Sequence, residues 1–396
     1  MNASGTRVLA AGAAVMAMGI YAQRGFSGAT IQPKNDAAAI AVEKGARWLV
    51  SVQGQDGGWG QDGGETSYVR QGEHLESNGN DVANTAVAAT ALLHAGNTAV
   101  TGQYRVAMQR AVNFILRHVE QSPAEGLTVT DLNGTQIQRK LGPFIDTFLS
   151  SKLLAELDGN MGDARLNARV RQSLQKCVAK IEKNQMRDGS WNVAGGWAPI
   201  LGTSMASRSL FMAQQKGVPV SPMAMAKVDE YTQKGTQAPS GPRAGVREGE
   251  AAAVSAPYFG GVVADAASAG VPLYKSAQTL EQLSRTDEDR KKNARQIHAI
   301  TNELENARFV TGFGSIGGEE FFSYLNISDS LHRAGGSAWE KWNGEMKTKV
   351  IRLQNDDGTW SGQHCITGRV AVTSAAILLL LADRDPVLMP ASARKN

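Results

Sequence analysis

The chain has little cysteine and few aromatic residues, and these scarcities exclude whole classes of protein. It contains 2 cysteines and 6% aromatic residues among 396 positions. Two cysteines exclude a disulfide-stapled scaffold and any zinc site built from four thiolates. Cys177 falls on the apolar stripe of a predicted helix, which indicates a packing role rather than a chemical one. The fold must therefore be held together by an ordinary apolar core.

Long apolar runs and single-sign charge runs are also scarce. After the N-terminal region, the longest apolar run is AAILLLLA (375–382), which is too short to cross a bilayer. The net charge is +4, and the densest charged segment, 285–295, carries both signs. Such a segment is typical of a solvated helix face. We therefore expect neither a nucleic-acid partner nor a stable membrane span in the mature chain.

The N-terminus has the pattern of an export signal. Arg7 precedes VLAAGAAVMAMGIYA (8–22), an apolar run too short to span a bilayer comfortably, and a polar stretch follows. We predict a signal peptide at 1–22, a linker at 23–36, and export to a bacterial periplasm or cell envelope. An uncleaved anchor and a merely flexible start are the alternatives.

Helical periodicity divides the rest of the chain into two classes of segment, and strand signals are nearly absent. Amphipathic segments lie at about 37–53, 103–119, 163–184, 222–234, 275–305 and 338–354. Segments rich in small and apolar residues on every side lie between them, at 81–96, 144–159, 202–217, 257–270, 318–335 and 368–383. A helix that is apolar all round is covered on both sides. The sequence therefore predicts an all-α fold of two concentric rings, with the amphipathic helices outside.

This double ring is expected to form one domain over residues 37–385, followed by a tail at 386–396. The Gly- and Pro-containing stretch 235–253 breaks the periodicity and is predicted to be an insertion. The insertion either has no role in function or forms a mobile flap over the end of the ring.

One seven-residue loop occurs three times, as QGQDGGW, QMRDGSW and QNDDGTW. The shared positions are Gln53, Asp56 and Trp59; Gln185, Asp188 and Trp191; and Gln354, Asp357 and Trp360. Each copy follows an amphipathic segment and precedes a small-residue segment, so all three should lie on the same rim of the ring. The glycine permits the backbone reversal, and the aspartate accepts hydrogen bonds from amides of the turn. The glutamine and tryptophan are expected to tie one hairpin to the next.

These loops resemble the QW repeats of the terpenoid cyclase and protein prenyltransferase superfamily, whose fold is the (α/α)6 toroid. The resemblance covers about residues 37–385. Residues 317–360 look most like exported bacterial squalene-cyclase-like proteins of unassigned function. The resemblance implies a single toroid of about six helical hairpins. A shared fold does not determine which activity a protein has.

The catalytic sets of these families are incomplete in this chain. Squalene-type cyclases protonate an alkene with the middle Asp of D-x-D-D-T-A. The corresponding stretch here is DVANTA (81–86), in which Ala83 stands at the donor position and Asn84 replaces the last Asp. Prenyltransferases bind zinc through a neighbouring Asp and Cys and a later His, but Cys365 has no such partner and no histidine follows His364. Neither a metal nor another cofactor is therefore expected.

Side chains at the rim remain as candidates for function. The catalytic candidates are Glu319, Glu320, His364 and Cys365, and the predicted ligand-binding residues are Asp81, Trp197, Tyr258, Phe259, Phe321 and Arg369. The two glutamates either balance the dipole of a helix or act as an acid and a base. His364 and Cys365 are either packing and surface residues or an activated thiol at a helix N-terminus.

Two functions fit this sequence. The first is a binding or scaffold protein whose central cavity accepts an apolar, isoprenoid-like ligand or a protein segment. The second is an enzyme that acts on a prenyl or polycyclic lipid with a non-family acid such as Glu319 or Glu320. A deep apolar cavity would indicate a lipid ligand, whereas a shallow polar depression would indicate that the protein binds a protein segment.

Overall fold

The computed structural model describes residues 36–61, 79–191, 198–237, 262–312 and 316–384. Within these ranges the chain forms fifteen α-helices and one pair of two-residue strands, so the predicted all-α class is confirmed. The predicted signal peptide (1–22) and the tail (386–396) lie outside the described residues. So do nearly all of the linker and residues 238–253 of the insertion.

The outer layer consists of amphipathic helices, numbered here along the chain. They are α1 (Ala37–Ser51), α3 (Arg105–Gln121), α6 (Ala164–Lys183), α8 (Pro222–Gln237), α10 (Asp287–Lys292), α11 (Ala294–Glu303) and α14 (Gly336–Arg352). In α3, Met108 and Ile115 are buried whereas Arg105 and Arg117 face solvent. This helix buries one stripe against the inner layer, as the periodicity predicts.

The inner layer is a closed ring of six helices. They are α2 (Val82–His94), α5 (Ile145–Leu157), α7 (Ala198–Gln215), α9 (Val262–Leu283), α13 (Gly318–Ala334) and α15 (Arg369–Leu380). Each contacts the next in this order, and α15 contacts α2. In α2, every residue from Val82 to Leu92 is buried, because the helix has neighbours on both sides. The six small-residue segments predicted from the sequence are thus the six inner helices of a toroid.

One predicted boundary was wrong. The sequence predicts that an inner segment ends at residue 270 and that an outer helix begins at residue 275. The structure instead has a single helix, α9, that continues through Pro272 to Leu283. Beyond Pro272, the buried side chains of Leu273, Tyr274 and Ala277 pack in the core and outweigh the local cost of the proline. The outer wall that follows is reduced to the short helices α10 and α11.

Two short helices and a small strand pair complete the described part. Helix α4 (Gln136–Leu141) lies between α3 and α5 in the chain, and α12 (Ala307–Thr311) precedes α13. Strand β1 (Trp59–Gly60) pairs antiparallel with β2 (Asn80–Asp81), which places Trp59 opposite Asp81. None of the described helices is long and apolar enough to span a membrane.

In all three repeated loops, the indole is held inside its own hairpin. Each indole N–H donates to the backbone carbonyl ten residues earlier, near the end of the preceding outer helix. The pairs are Trp59 to Leu49 at 2.6 Å, Trp191 to Ile181 at 2.7 Å, and Trp360 to Val350 at 2.7 Å. The backbone N–H of each tryptophan also donates to a threonine hydroxyl of the following inner helix. Each tryptophan therefore joins the two helices of one hairpin.

The glutamines, rather than the indoles, make the hydrogen bonds to the next hairpin. Gln53 donates to Ala107 O at 3.0 Å, Gln185 to Ala224 O at 2.9 Å, and Gln354 to Ala41 O at 2.9 Å. The last of these bonds links the final outer helix, α14, to the first, α1. The aspartates Asp56, Asp188 and Asp357 each accept the backbone N–H two residues later. The ring is thus closed by hydrogen bonds in its outer layer as well as by packing in its inner layer.

A glycine in each loop allows this close approach. Gly189 has φ +92°, and a Cβ atom there would lie 2.1 Å from the carbonyl oxygen of Lys227 on the next outer helix. Gly57 and Gly358 have the same left-handed conformation and also lie against the next outer helix. Only glycine combines that backbone conformation with so small a volume.

Candidate functional site

The three repeated loops lead into the starts of α2, α7 and α15, and we call this end of the ring the rim. The alternation of outer and inner helices makes neighbouring inner helices parallel. Contacts between their first turns agree with this direction. Ala83 at the start of α2 donates to Asp146 at the start of α5, and Gly318 at the start of α13 donates to Ile366, just before α15.

Asp81 and Asp146 form a buried carboxyl pair at the starts of α2 and α5. Asp81 caps α2: Oδ1 accepts the backbone N–H of Asn84 at 2.7 Å, and Oδ2 accepts its side-chain amide at 2.8 Å. Asp146 reaches across to α2, where Oδ1 accepts the backbone N–H of Ala83 at 3.0 Å. Its Oδ2 accepts the side-chain amide of Gln138 at 2.7 Å. All four carboxyl oxygens are therefore hydrogen-bonded, three of them to groups of α2.

Both carboxyl groups of this pair hold their protons more tightly than an ordinary aspartic acid. Burial, with a smaller contribution from the Asp146 carboxylate, raises the pKa of Asp81 to about 7. Burial likewise raises the pKa of Asp146 to about 6, although its hydrogen bonds oppose the shift. Each group is therefore a weaker acid than a carboxyl group exposed to water.

This pair should make the stability of the protein depend on pH. Between the ordinary carboxyl pKa of 3.8 and the raised values, the folded protein keeps protons that the unfolded chain releases. The stabilisation is therefore complete below the unfolded pKa and is lost as the pH rises through about 6 to 7. We expect the free energy of unfolding to fall by up to about 1.4 kcal/mol per pH unit for each proton. Urea unfolding at intervals between about pH 4 and about pH 7 measures this slope.

Two variants show whether the slope comes from this pair. Asp81→Asn keeps an acceptor for the backbone of α2 and should flatten the slope, because it removes one of the two protons. Asp163→Asn is the matched control, since Asp163 caps α6 in the same way but is exposed to solvent. It should leave the slope unchanged. An Asp81→Asn protein with the parental slope would contradict the raised pKa of Asp81.

Helix α4 lies across the rim. At one end, the side-chain carbonyl of Gln136 accepts the backbone N–H groups of Thr367 and Gly368, at 2.9 and 3.0 Å, before α15. Its amide donates to the hydroxyl of Thr367 at 2.9 Å. At the other end, Leu141 O lies close to Gly202 of α7, where an added Cβ would be 2.4 Å away. This end of the ring is therefore crossed by the chain's own helix.

Glu320 connects α13 to α9 beneath the rim. Its Oε2 accepts the backbone N–H of Gly317 at 2.9 Å, which closes the first turn of α13. Its Oε1 accepts the hydroxyl of Tyr274, from α9, at 3.0 Å. Burial and the Glu320 carboxylate together raise the pKa of Tyr274, so the phenol remains a hydrogen-bond donor.

Glu319 is fully buried beside Glu320, and its carboxyl group makes fewer hydrogen bonds than it could accept. Its Oε2 accepts the backbone N–H of Ile366 at 3.1 Å, whereas Oε1 has no hydrogen-bond partner among the described residues. Burial and the neighbouring Glu320 carboxylate raise the pKa of Glu319. An unsatisfied carboxyl oxygen in the interior costs free energy, so its retention calls for an explanation.

His364 and Cys365 lie on the loop before α15, which packs directly against the start of α13. Gly317 and Gly318 allow this approach: a Cβ at Gly317 would lie 2.6 Å from the His364 ring, and one at Gly318 would lie 2.5 Å from Ile366. Cys365 has φ +59° and is the one non-glycine residue with a positive φ in the described chain. Both side chains are buried, with exposed fractions of 7% and 2%.

The loop brings three chemically distinct side chains together. Ligand atoms of Glu319, His364 and Cys365 all lie within 4.8 Å of one another. His364 Nε2 also lies 3.8 Å from Glu320 Oε2. We call the residues Tyr274, Glu319, Glu320, His364 and Cys365 the rim cluster.

Deeper in the ring, α7, α9 and α13 carry a buried polar network. Arg208 of α7 pairs with Asp329 of α13, and Arg333 of α13 pairs with Glu281 of α9 at 2.7 Å. Asn326 donates to Ser204 at 3.3 Å, which is a second link from α13 to α7. The described buried residues of α2 and α15 are mainly alanine, valine and leucine instead. Buried ion pairs thus link α7, α9 and α13, whereas the described buried residues of α2 and α15 include no charged side chain.

Comparison with known protein families relates part of this chain to a known family. Residues 20–135 match the family model described as the squalene-hopene cyclase C-terminal domain. This match supports membership of the chain in the terpenoid cyclase-like superfamily. The matched region includes α1 to α3, the first repeated loop and Asp81, and it covers less than a third of the chain. No curated protein matches this terpenoid cyclase-like chain.

The remaining predicted site residues lie at several locations in the structure. Phe321 is buried in the first turn of α13, next to the rim cluster. Arg369 lies further out, where it pairs with Asp357 at 3.1 Å and lies over the ring of Trp48. Trp197, Tyr258 and Phe259 lie outside the described residues.

Three residues of this site were missed by the sequence reasoning: Gln136, Asp146 and Tyr274. Asp146 carries a signal that could have revealed it, since it begins an inner helix just as Asp81 does. Gln136 lies on a helix too short for its periodicity to be recognised, and Tyr274 falls between the two segments that the sequence predicts at 257–270 and 275–305.

Proposed function

We propose that this terpenoid cyclase-like chain binds an isoprenoid-like amphiphile and releases it unchanged. The observation that carries the proposal is the carboxyl pair at the position of the cyclase acid. Ala83 occupies the donor position, and the nearby Asp81 and Asp146 use every carboxyl oxygen in hydrogen bonds. Protonation of an alkene needs a strong acid that is directed at the substrate. Two weak acids that hold helix termini do not meet that need.

The choice of ligand rests on the family match and on the contrast between the apolar helices α2 and α15 and the polar network of α7, α9 and α13. Squalene, which the name of the matching family includes, is an isoprenoid hydrocarbon. The apolar side chains of α2 and α15 suit the body of such a molecule. The polar network of α7, α9 and α13 and the rim cluster suit a hydroxyl or another polar group at its end. These features support an amphiphile, such as a long-chain prenyl alcohol, more than a pure hydrocarbon.

Native mass spectrometry of the purified full-length protein tests the proposal. The protein is incubated with farnesol, a longer prenyl alcohol or squalene, and the bound and free lipids are then extracted and identified. We expect a complex of one lipid per chain with a prenyl alcohol, and recovery of that alcohol unchanged. A synthetic peptide of mixed sequence serves as the comparison ligand.

The possible outcomes separate the candidate functions. A new product, lost in Glu319→Gln or Glu320→Gln, would make the chain an enzyme with a non-family acid and end the binding proposal. Binding of the peptide without any lipid would favour a protein-binding scaffold. Asp81→Asn should bind the lipid as the parent does, because Asp81 acts on the end of a helix.

We also propose that the protein acts outside the cytoplasm. The proposal is supported by Arg7 and the apolar run at 8–22, which have the composition of a signal peptide. Expression of the full chain in a bacterium, followed by cell fractionation and N-terminal sequencing, should yield a periplasmic or envelope protein that starts near residue 23. A cytoplasmic protein that keeps residues 1–22 would contradict it.

A further inference from the structure

We propose that Glu319, His364 and Cys365 form a binding site for a zinc-class divalent metal ion. This inference does not depend on the proposed lipid ligand. It differs from the sequence-based expectation of no metal, which considered the ligand positions of known families and not the residues that this fold brings together.

The geometry of the three side chains is close to that of a metal site. Their ligand atoms lie within 4.8 Å of one another. Ligands around a tetrahedral zinc ion are separated by about 3.5 Å, which follows from metal–ligand distances of about 2.0 to 2.3 Å. Changes of about 1 Å in side-chain position would therefore be enough to enclose an ion. His364 and Cys365 lie on one loop and Glu319 on α13, and the hydrogen bond from Ile366 to Glu319 fixes these two elements together.

A second observation points to a cation independently. Glu319 is fully buried, and its Oε1 has no hydrogen-bond partner among the described residues. A positive ion bound at this oxygen would remove the cost of leaving it unsatisfied. The other oxygen of the same carboxylate already accepts a backbone N–H, which orients the group.

The donor types indicate which ion would bind. A thiolate and an imidazole favour zinc and similar transition metals over magnesium or calcium, which prefer oxygen ligands. On binding, the Cys365 thiol would lose its proton to solvent. Glu320 lies next to His364, as carboxylates commonly do beside metal-binding histidines. Three protein ligands leave a fourth position for water or for a polar group of a ligand, which is the pattern of catalytic rather than structural zinc sites.

Cobalt(II) titration of the purified, chelator-treated full-length protein tests the site. A bound thiolate gives a thiolate-to-cobalt charge-transfer band, and we expect this band to saturate at about one cobalt per chain. Zinc should then displace the cobalt and abolish the band. Cys365→Ser and Glu319→Gln should each weaken cobalt binding by about 100-fold or more, and Cys365→Ser should also remove the band. Cys177→Ala is the matched control, because Cys177 is the other buried cysteine and lies on α6.

Each outcome decides for or against the site. The proposal stands if the parent and Cys177→Ala show the band and Cys365→Ser does not. It is overturned if the folded parent shows no band at cobalt concentrations up to about 1 mM. It is also overturned if Cys365→Ser binds cobalt as tightly as the parent, since the ion would then lie elsewhere. Glu319→Gln keeps the bond to Ile366, so if circular dichroism shows that Cys365→Ser does not fold, the parent and Glu319→Gln titrations decide.

Discussion

Replacement of Trp191 by alanine is expected to lower the free energy of unfolding by about 3 to 5 kcal/mol. The side chain is only 3% exposed, its indole donates to Ile181, and its ring meets the edge of Phe148 at a centroid distance of 6.4 Å. Truncation removes a large buried area, a hydrogen bond and an aromatic contact together. Urea unfolding of the parent and the variant gives the difference directly.

Two further variants separate the contributions of this tryptophan. Trp191→Phe keeps most of the apolar area but loses the N–H donor, so we expect a smaller loss of about 1 to 2 kcal/mol. Trp48→Ala removes a tryptophan of α1 that is only partly buried and lies outside the repeated loops, and it should cost less than Trp191→Ala. If Trp191→Ala unfolds at the parental urea concentration, these loops do not brace the ring.

Replacement of Asp329 by alanine is expected to cost about 3 to 5 kcal/mol of stability. Asp329 and its partner Arg208 are both buried, with side-chain exposures of 4% each, and they join α13 to α7. Loss of the carboxylate would leave a guanidinium group in the interior without its charged partner, and this is why the cost is large. Chemical unfolding measures the change.

A double variant tests whether the pair, rather than Asp329 alone, is responsible. Arg208→Met combined with Asp329→Leu removes both charges and keeps similar volumes, so most of the lost stability should return. The matched surface pair is Glu230 and Lys234, whose side chains are 65% and 73% exposed. Glu230→Ala should unfold close to the parental denaturant concentration, because a solvent-exposed ion pair contributes little. Equal losses for Asp329→Ala and the double variant would contradict a buried ion pair.

The fold could be predicted from the sequence because its two helix classes bury different surfaces. A helix such as α3 keeps charged residues on one face, whereas α2 has no charged residue between Val82 and Leu92. That contrast is local and can be read from a single chain. The end of α9 could not be predicted in the same way. Its continuation past Pro272 depends on packing within the ring, and a local pattern contains no information about it.

The site was less accessible to sequence reasoning because its contacts join distant parts of the chain. Asp146 acts on Ala83, Tyr274 on Glu320, and the rim cluster forms only when the loop before α15 packs on α13. Glu319, Glu320, His364 and Cys365 were singled out from their position near helix starts, but their mutual distances depend on the closed ring. The sequence therefore indicates which residues can do chemistry, and the fold decides which of them meet.

Transfer of solvent deuterium to the ligand is the most direct test of the claim that this protein does not cyclise the lipid that it binds. The protein is incubated in deuterium oxide with a prenyl alcohol and with squalene, and the recovered lipid is analysed by mass spectrometry. Protonation of an alkene would leave a deuterium on carbon whatever rearrangement followed. The account predicts lipid with no deuterium on carbon. Enrichment that requires the folded protein and disappears in Asp81→Asn or Asp146→Asn would show that a carboxyl group at the rim acts as a catalytic acid.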